Sequence, residues 1–134
     1  MEITEGLKNL NEIIERHPRV DPSKNEAQTR YDLINDLISM VLGWPRSQVH
    51  VEVSQARKYT DYELGDPRQC IWEAKREGKF FEIPAGKIGK TRVKISTLCE
   101  ISNDVKDAVD QVQSYCSSRG VKFAVATNGR QIIA

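Results

Sequence analysis

Cysteine is scarce in this 134-residue chain, which has only Cys70, Cys99 and Cys116. The number is odd and no two stand in C-x-x-C spacing, so the sequence suggests neither a zinc site nor a disulfide framework. Such sparse use suits a reducing compartment, and a cytoplasmic location is expected. Histidine is scarcer: His17 and His50 are isolated, and neither is assigned a ligand or catalytic role. No apolar run approaches the ~18 residues that a membrane span needs. The start, MEITEGLKNL, is acidic and amphipathic, unlike a signal peptide. An excess of one charge is also missing. The formal net charge is +1, so any case for nucleic acid must rest on local clusters.

What remains is ordinary for a globular domain, with 39% hydrophobic and 29% charged residues. The length suffices for one hydrophobic core. Ile3, Leu7, Leu10, Ile13 and Ile14 recur at helical spacing and predict a helix over 2–16, ended by His17-Pro18. A longer helix is predicted over 24–42, with Leu33, Ile34, Leu37, Ile38, Val41 and Leu42 on one face and Gly43 as its stop. The period then changes to two. Val49, Val51 and Val53 alternate with polar residues as in a half-buried strand, KYTDYEL (58–64) follows as a second, and QCIWEAK (69–75) as a third. The short Gly65-Asp66-Pro67 turn implies an antiparallel hairpin. Residues 78–98 carry no clear period, 102–118 read as a helix, Val121 to Ala126 as a central strand, and Thr127-Asn128-Gly129 as the turn into a last strand at Gln131. This order predicts an α/β domain with a mixed central sheet flanked by helices, and a right-handed crossover into the fourth strand. The ending Gln131-Ile132-Ile133-Ala134 reads either as a strand flush with the terminus or, the favoured expectation, as the edge of a domain belonging to a longer protein.

The chemistry concentrates in two strands. Glu73 and Lys75 stand two apart and so project from one strand face. If the hairpin pairs across residues 65–68, Asp61 reaches the same face. Two carboxylates a few Å apart repel, and a divalent cation removes the conflict. Oxygen ligands of this kind suit Mg²⁺, with Mn²⁺ as a substitute, and such an ion can polarise a phosphodiester and acidify a coordinated water. Lys75 would then orient or deprotonate the attacking water, or neutralise transition-state charge. The plain alternative is that Glu73 and Lys75 form a solvated ion pair worth ~0–1 kcal/mol.

These residues carry a resemblance. DYELGDPRQCIWEAK (61–75) resembles the core of the PD-(D/E)XK nuclease superfamily, with Thr60 in place of its proline. NEAQTRYDLINDLISMVLGW (25–44), QVQSY (111–115) and the ending AVATNGRQI are similar to segments of the nuclease domain in restriction subunits of type I restriction enzymes. The resemblance implies a restriction-endonuclease-like fold and a Mg²⁺-dependent DNA endonuclease. It implies that Asp61, Glu73 and the Ala74 carbonyl bind the metal, that Lys75 is the catalytic lysine, and that Glu26 supports the metal or its water. Gln111 would position the site or touch nucleic acid, and Tyr115 beside it would be a nucleic-acid contact. Glu26 is equally a first-turn glutamate favoured by the helix dipole, and Tyr115 equally a core residue. The implied setting is restriction or anti-phage defence, with a fused or associated NTPase, motor or sensor domain as partner. Self-association stays open. The rival reading is a nuclease-like module that binds nucleic acid or protein without cutting.

The expected domain plan is one nuclease unit over 1–134: an N-terminal helix over 1–20, a core over 24–75 and 101–134, and a basic insertion over 76–100. From Lys75 to Lys94 seven Lys/Arg face only Glu77 and Glu82. Lys87, Lys90, Arg92 and Lys94 are therefore expected to contact DNA phosphates, with Phe80 and Phe81 able to stack on bases; a solvated hairpin with a partly buried Phe pair is the alternative. GKIGKT (86–91) is not a nucleotide-binding loop, because Pro84 stands where the first glycine is required. Trp44 and Trp72 are expected to pack in the core.

Overall fold

The first helix, α1 (Ile3–Arg16), lies against the second through Gly6, where a Cβ would come within 2.7 Å of the Val41 carbonyl oxygen. Any side chain there would force the two helices apart. The second helix opens as α2 (Glu26–Thr29), with the Asn25 side chain accepting from the Gln28 N–H at 2.8 Å. It runs on through two π-helical turns, Arg30–Ile34 and Leu37–Val41, where the sequence predicted a regular helix. Buried Leu33 and Leu37, like Ile34 and Ile38, repeat every four residues. A repeat of four overshoots the 3.6-residue α-turn, and the wider turns absorb that drift and keep both columns on the sheet. The computed structural model describes residues 1–83 and 92–134.

The five strands lie in chain order: β1 (Val49–Gln55), β2 (Lys58–Leu64), β3 (Cys70–Ala74), β4 (Phe123–Thr127) and β5 (Ile132–Ile133). All neighbours are antiparallel except β3 and β4, which are parallel. That parallel pair needs a crossover, which α3 (Ile95–Ile101) and α4 (Asn103–Arg119) supply. The period-two pattern sorts the strand residues between two helical layers. Tyr62, Leu64, Trp72 and Ala74 pack on Ile34 and Ile38, while Ile71 packs on Val112 and Cys116 of α4. Trp72 is buried, and Trp44 packs against its cluster. The expected mixed sheet with flanking helices is thus observed. None of the described helices is long and apolar enough to cross a membrane.

Several details differ from the sequence reading. The fourth strand begins at Phe123, because the Val121 N–H is still bonded to the Cys116 carbonyl at the exit of α4, where Gly120 takes a left-handed φ of 67°. In the stretch without clear period, α3 forms because Ile95, Leu98 and Cys99 find an apolar surface on α4. Phe81 is 1% exposed and packs on Val105, Ala108 and Val109. It therefore cannot stack on bases; Phe80 is exposed. Gln131 fixes Phe81 further, accepting from its N–H and donating to its carbonyl, both at 2.8 Å. Glu77, Phe81, Ile95, Leu98 and Cys99, which fall within the basic insertion expected over 76–100, are thus packed on the core.

Two buried glutamates lock distant segments together. Glu63 of β2 forms an ion pair with Arg119 at the end of α4, and also accepts from Arg68 at 3.3 Å and from the Thr60 hydroxyl at 3.2 Å. Glu77 meets Arg130 at 2.5 Å and Lys24 at 3.2 Å, and Arg130 also donates to the His17 carbonyl at 2.7 Å. Removing one partner leaves an uncompensated buried charge. Arg119→Met is expected to lower unfolding free energy by about 2–4 kcal/mol in urea melts, somewhat under the ~3–5 typical of a broken buried pair because Arg68 remains. A loss below about 0.5 kcal/mol would show that Arg68 alone suffices.

Candidate active site

The site lies where β2 and β3 part. Their pairing runs from Leu64↔Cys70 to Tyr62↔Trp72 and stops there. The next pair in that register would be Asp61 and Glu73, and residues opposite each other share a sheet face. In place of a ladder bond, the Asp61 carboxylate accepts the Ala74 N–H at 2.7 Å. The neighbouring Lys75 N–H points the other way, to the Thr127 carbonyl of β4 at 2.8 Å. A strand residue's N–H and C=O leave on one edge, so the Ala74 carbonyl faces the same gap as Asp61.

On the α4 side, the Lys75 ammonium donates to Glu73 at 3.0 Å and to the Gln111 side-chain oxygen at 2.9 Å. The Gln111 amide donates in turn to the Tyr115 hydroxyl at 3.3 Å, one helical turn on. Asp61, Glu73, Ala74, Lys75, Gln111 and Tyr115 are therefore brought together. Tyr115 is half-buried and also packs against the Ile71 cluster. The side chain of Glu26, at the start of α2, makes no hydrogen bond or ion pair among the described residues, but its carboxyl group senses the charges of Asp61, Lys75 and Arg30.

Of the residues expected to bind DNA phosphates, Lys87 and Lys90 lie outside the described residues. Arg92 and Lys94 are exposed, and neither forms an ion pair among the described residues. One neighbour of the site escaped the sequence reading. Arg30 follows Glu26 by one turn, and its guanidinium lies 3.6 Å from Asp61 and 3.1 Å from Glu52. The i, i+4 spacing from Glu26 was the only available signal.

The electrostatics follow from burial of like charges. Glu73 is pushed up to about 7, first because burial strips water from its carboxylate and then by the charge of Asp61, while Lys75 pulls it down. Asp61 is raised, chiefly by burial, against the opposing Ala74 N–H and the Arg30 and Lys75 charges. Burial, then the Asp61 charge, raises Glu26. Among the described residues, no three acidic, histidine or cysteine side chains form a metal-holding group. Mg²⁺ asks for less, since it takes one or two carboxylates and keeps several waters. Asp61, Glu73 and the Ala74 carbonyl are hard oxygen donors around a charge deficit, and they fit such an ion.

No family model matches the chain, and neither a curated protein nor a solved structure matches it. The residues themselves carry the functional reading.

The raised carboxyl groups set a pH dependence. A group that holds its proton more tightly when folded contributes stability that is fully present below its unfolded pKa and lost as pH rises through the folded one. For Glu73 that window runs from its ordinary 4.5 up to about 7, and Asp61 and Glu26 act in the same direction. Asp21 and Asp32 are lowered by their hydrogen bonds to Ser23 and Lys24, and so act below 3.8, outside this window. In chelator, the urea midpoint should fall between pH 5 and pH 7.5, and Glu73→Gln should flatten most of that fall. A midpoint that rises across this range in the wild type would contradict the assignment.

Proposed function

We propose that this chain is a divalent-metal-dependent nuclease module that hydrolyses DNA phosphodiester bonds, on a restriction-endonuclease-like fold. The observation that carries the reading is the placement of Lys75. Its ammonium sits between Glu73 at 3.0 Å and Gln111 at 2.9 Å, beside a buried and a half-buried carboxylate, Glu73 and Asp61, both raised by the loss of water around them. A structural ion pair has no need of a second acidic strand residue across the gap.

Asp61, Glu73 and the Ala74 carbonyl would hold Mg²⁺ or Mn²⁺, and Glu26 would support it from α2. When bound, that ion supplies Lewis-acid polarisation of the scissile phosphate. Lys75 orients the attacking water and offsets charge that builds on the phosphate oxygens. Gln111 fixes the Lys75 ammonium, and Tyr115 fixes Gln111. Arg92 and Lys94, with Lys87 and Lys90, would contact the DNA backbone. The motif resemblance favours a role in restriction or anti-phage defence in the cytoplasm, under control of an NTPase, motor or sensor partner.

Duplex DNA incubated with the protein and Mn²⁺ or Mg²⁺ should be cut, and Ca²⁺ should support binding without cutting. Asp61→Ala, Glu73→Ala and Lys75→Ala should each reduce cleavage by at least about a hundredfold. Combined, they should not add, because groups that act as one unit are non-additive. Full activity in Lys75→Ala would overturn the mechanism. DNA binding with no cutting in any divalent metal would favour the silent binding module.

Salt dependence tests the backbone contacts separately. Each phosphate contact contributes ~0.9 to the slope of log affinity against log salt. Replacing Lys87, Lys90, Arg92 and Lys94 with alanine should flatten that slope and weaken all sequences alike, since phosphate contacts position the protein without reading bases. An unchanged slope would mean these cations are merely solvated.

A further inference from the structure

Arg30 stands at the junction of α2, β1 and β2, and its guanidinium is tightly located. It lies 5.0 Å above the centre of the Tyr62 ring, and its Nε donates to the Tyr62 hydroxyl at 3.4 Å. Tyr62 is 1% exposed and donates its own hydroxyl to Asn35 at 2.7 Å, so the ring is a fixed plate. Over that plate the Nη1 edge meets two carboxylates. Glu52 is at 3.1 Å, within hydrogen-bond reach, and Asp61 is at 3.6 Å, in charge contact without a hydrogen bond.

The position of Glu52 is itself unusual. Its φ is +50°, in the left-handed region, although it has a full side chain and lies within β1. The pairs Val51↔Tyr62 and Val53↔Thr60 flank it, which places it across from Asp61. Strained backbone of this kind persists where the surroundings hold it, and it gathers at functional sites. Here it delivers a second carboxylate to the guanidinium that already faces Asp61.

We propose that Arg30 is a positioning residue that sets how strongly Asp61 holds a divalent cation, and that Glu52 tunes it by sharing the guanidinium. This rests on the metal-site reading given above. Asp61 has one oxygen on the Ala74 N–H, and its other oxygen, 3.6 Å from Arg30, is the one left for a metal. A cation arriving there is repelled by the guanidinium. Glu52 holds Arg30 back and keeps the repulsion low. Without Glu52, Arg30 closes on Asp61 and competes with the metal for it.

A double-mutant cycle read by Mn²⁺ affinity in calorimetry tests this, because the coupling isolates whether one residue acts through the other. Arg30→Met keeps the stem over Tyr62 and removes the charge, so Mn²⁺ should bind several-fold tighter. Glu52→Gln should weaken Mn²⁺ several-fold in the wild-type background and change it less than about 1.5-fold in the Arg30→Met background. Arg30→Lys restores the charge and should return affinity toward the wild-type value. Equal effects of Glu52→Gln in both backgrounds would mean Glu52 acts as an independent charge, and the proposal falls. Weaker Mn²⁺ binding by Arg30→Met, with or without a drop in melting temperature, would also overturn it. If the wild type binds no Mn²⁺ while Arg30→Met binds none either, the metal-site reading itself fails and takes this proposal with it. Wild-type binding with an additive cycle removes only the proposal.

Discussion

The hydrogen bond from the Ala74 N–H to the Asp61 carboxylate decides what the open end of the sheet becomes. A ladder bond at that point would zip β2 to β3 for another residue pair and bury Asp61 against Glu73 without room for anything between them. The side chain takes the amide instead. It satisfies a main-chain donor that would otherwise be orphaned, and it holds the strands apart. The gap so made contains a carboxylate from each strand, and the Ala74 carbonyl is directed into it. Backbone satisfaction and site assembly are thus one event.

Much of this was legible in the sequence, and the reason is periodicity. Ile71, Glu73 and Lys75 alternate with Cys70, Trp72 and Ala74, so strand geometry alone put the Glu and Lys on one face. The Gly65-Asp66-Pro67 turn gave the hairpin, whereas Gln111 and Tyr115 stood out only through the motif resemblance, and their chain of hydrogen bonds to Lys75 emerges from the structure. What could not be read depended on contacts without local pattern. Phe81 sits in a polar, cationic stretch whose composition resembles an exposed arm, yet one apolar surface on α4 and the two hydrogen bonds of Gln131 draw it in. The β1–β2 turn has Ala56 and Arg57 at φ of 51° and 65°, where Asn-Gly would have announced it. Arg30 read as one more charge on a helix, because its partners Asp61 and Glu52 lie on other elements.

The π-helical turns bear on the same point. They leave the buried columns of Leu33, Leu37, Ile34 and Ile38 stacked on the sheet, so the second helix is held firmly beyond its opening α2 turn. Glu26 and Arg30 sit at its near end, over the gap. π-turns recur at functional sites, and here the change in winding begins at Arg30 itself. The rotation of the following turns is set by the core, and that of Glu26 by the Asn25 cap, so the two charged residues are fixed from both sides.

A site of crowded carboxylates works against folding, because each must give up water beside another of like charge. The frame has to be rigid elsewhere to hold it. The two buried ion clusters supply that rigidity at positions clear of the gap. Glu63 binds the end of α4 to β2 through Arg119, which also donates to the Val53 carbonyl of β1 at 3.1 Å. Glu77 gathers Lys24 before α2 and Arg130 before β5, and the Glu77 N–H reaches the Thr29 hydroxyl at 2.9 Å. Both knots tie helix ends to strands by groups with few alternative partners, and buried charge pairs of this sort fix geometry better than they add net stability. The result separates two tasks. Paired charges set where α2 and α4 stand, which leaves the charges in the gap incompletely neutralised and therefore available to a cation.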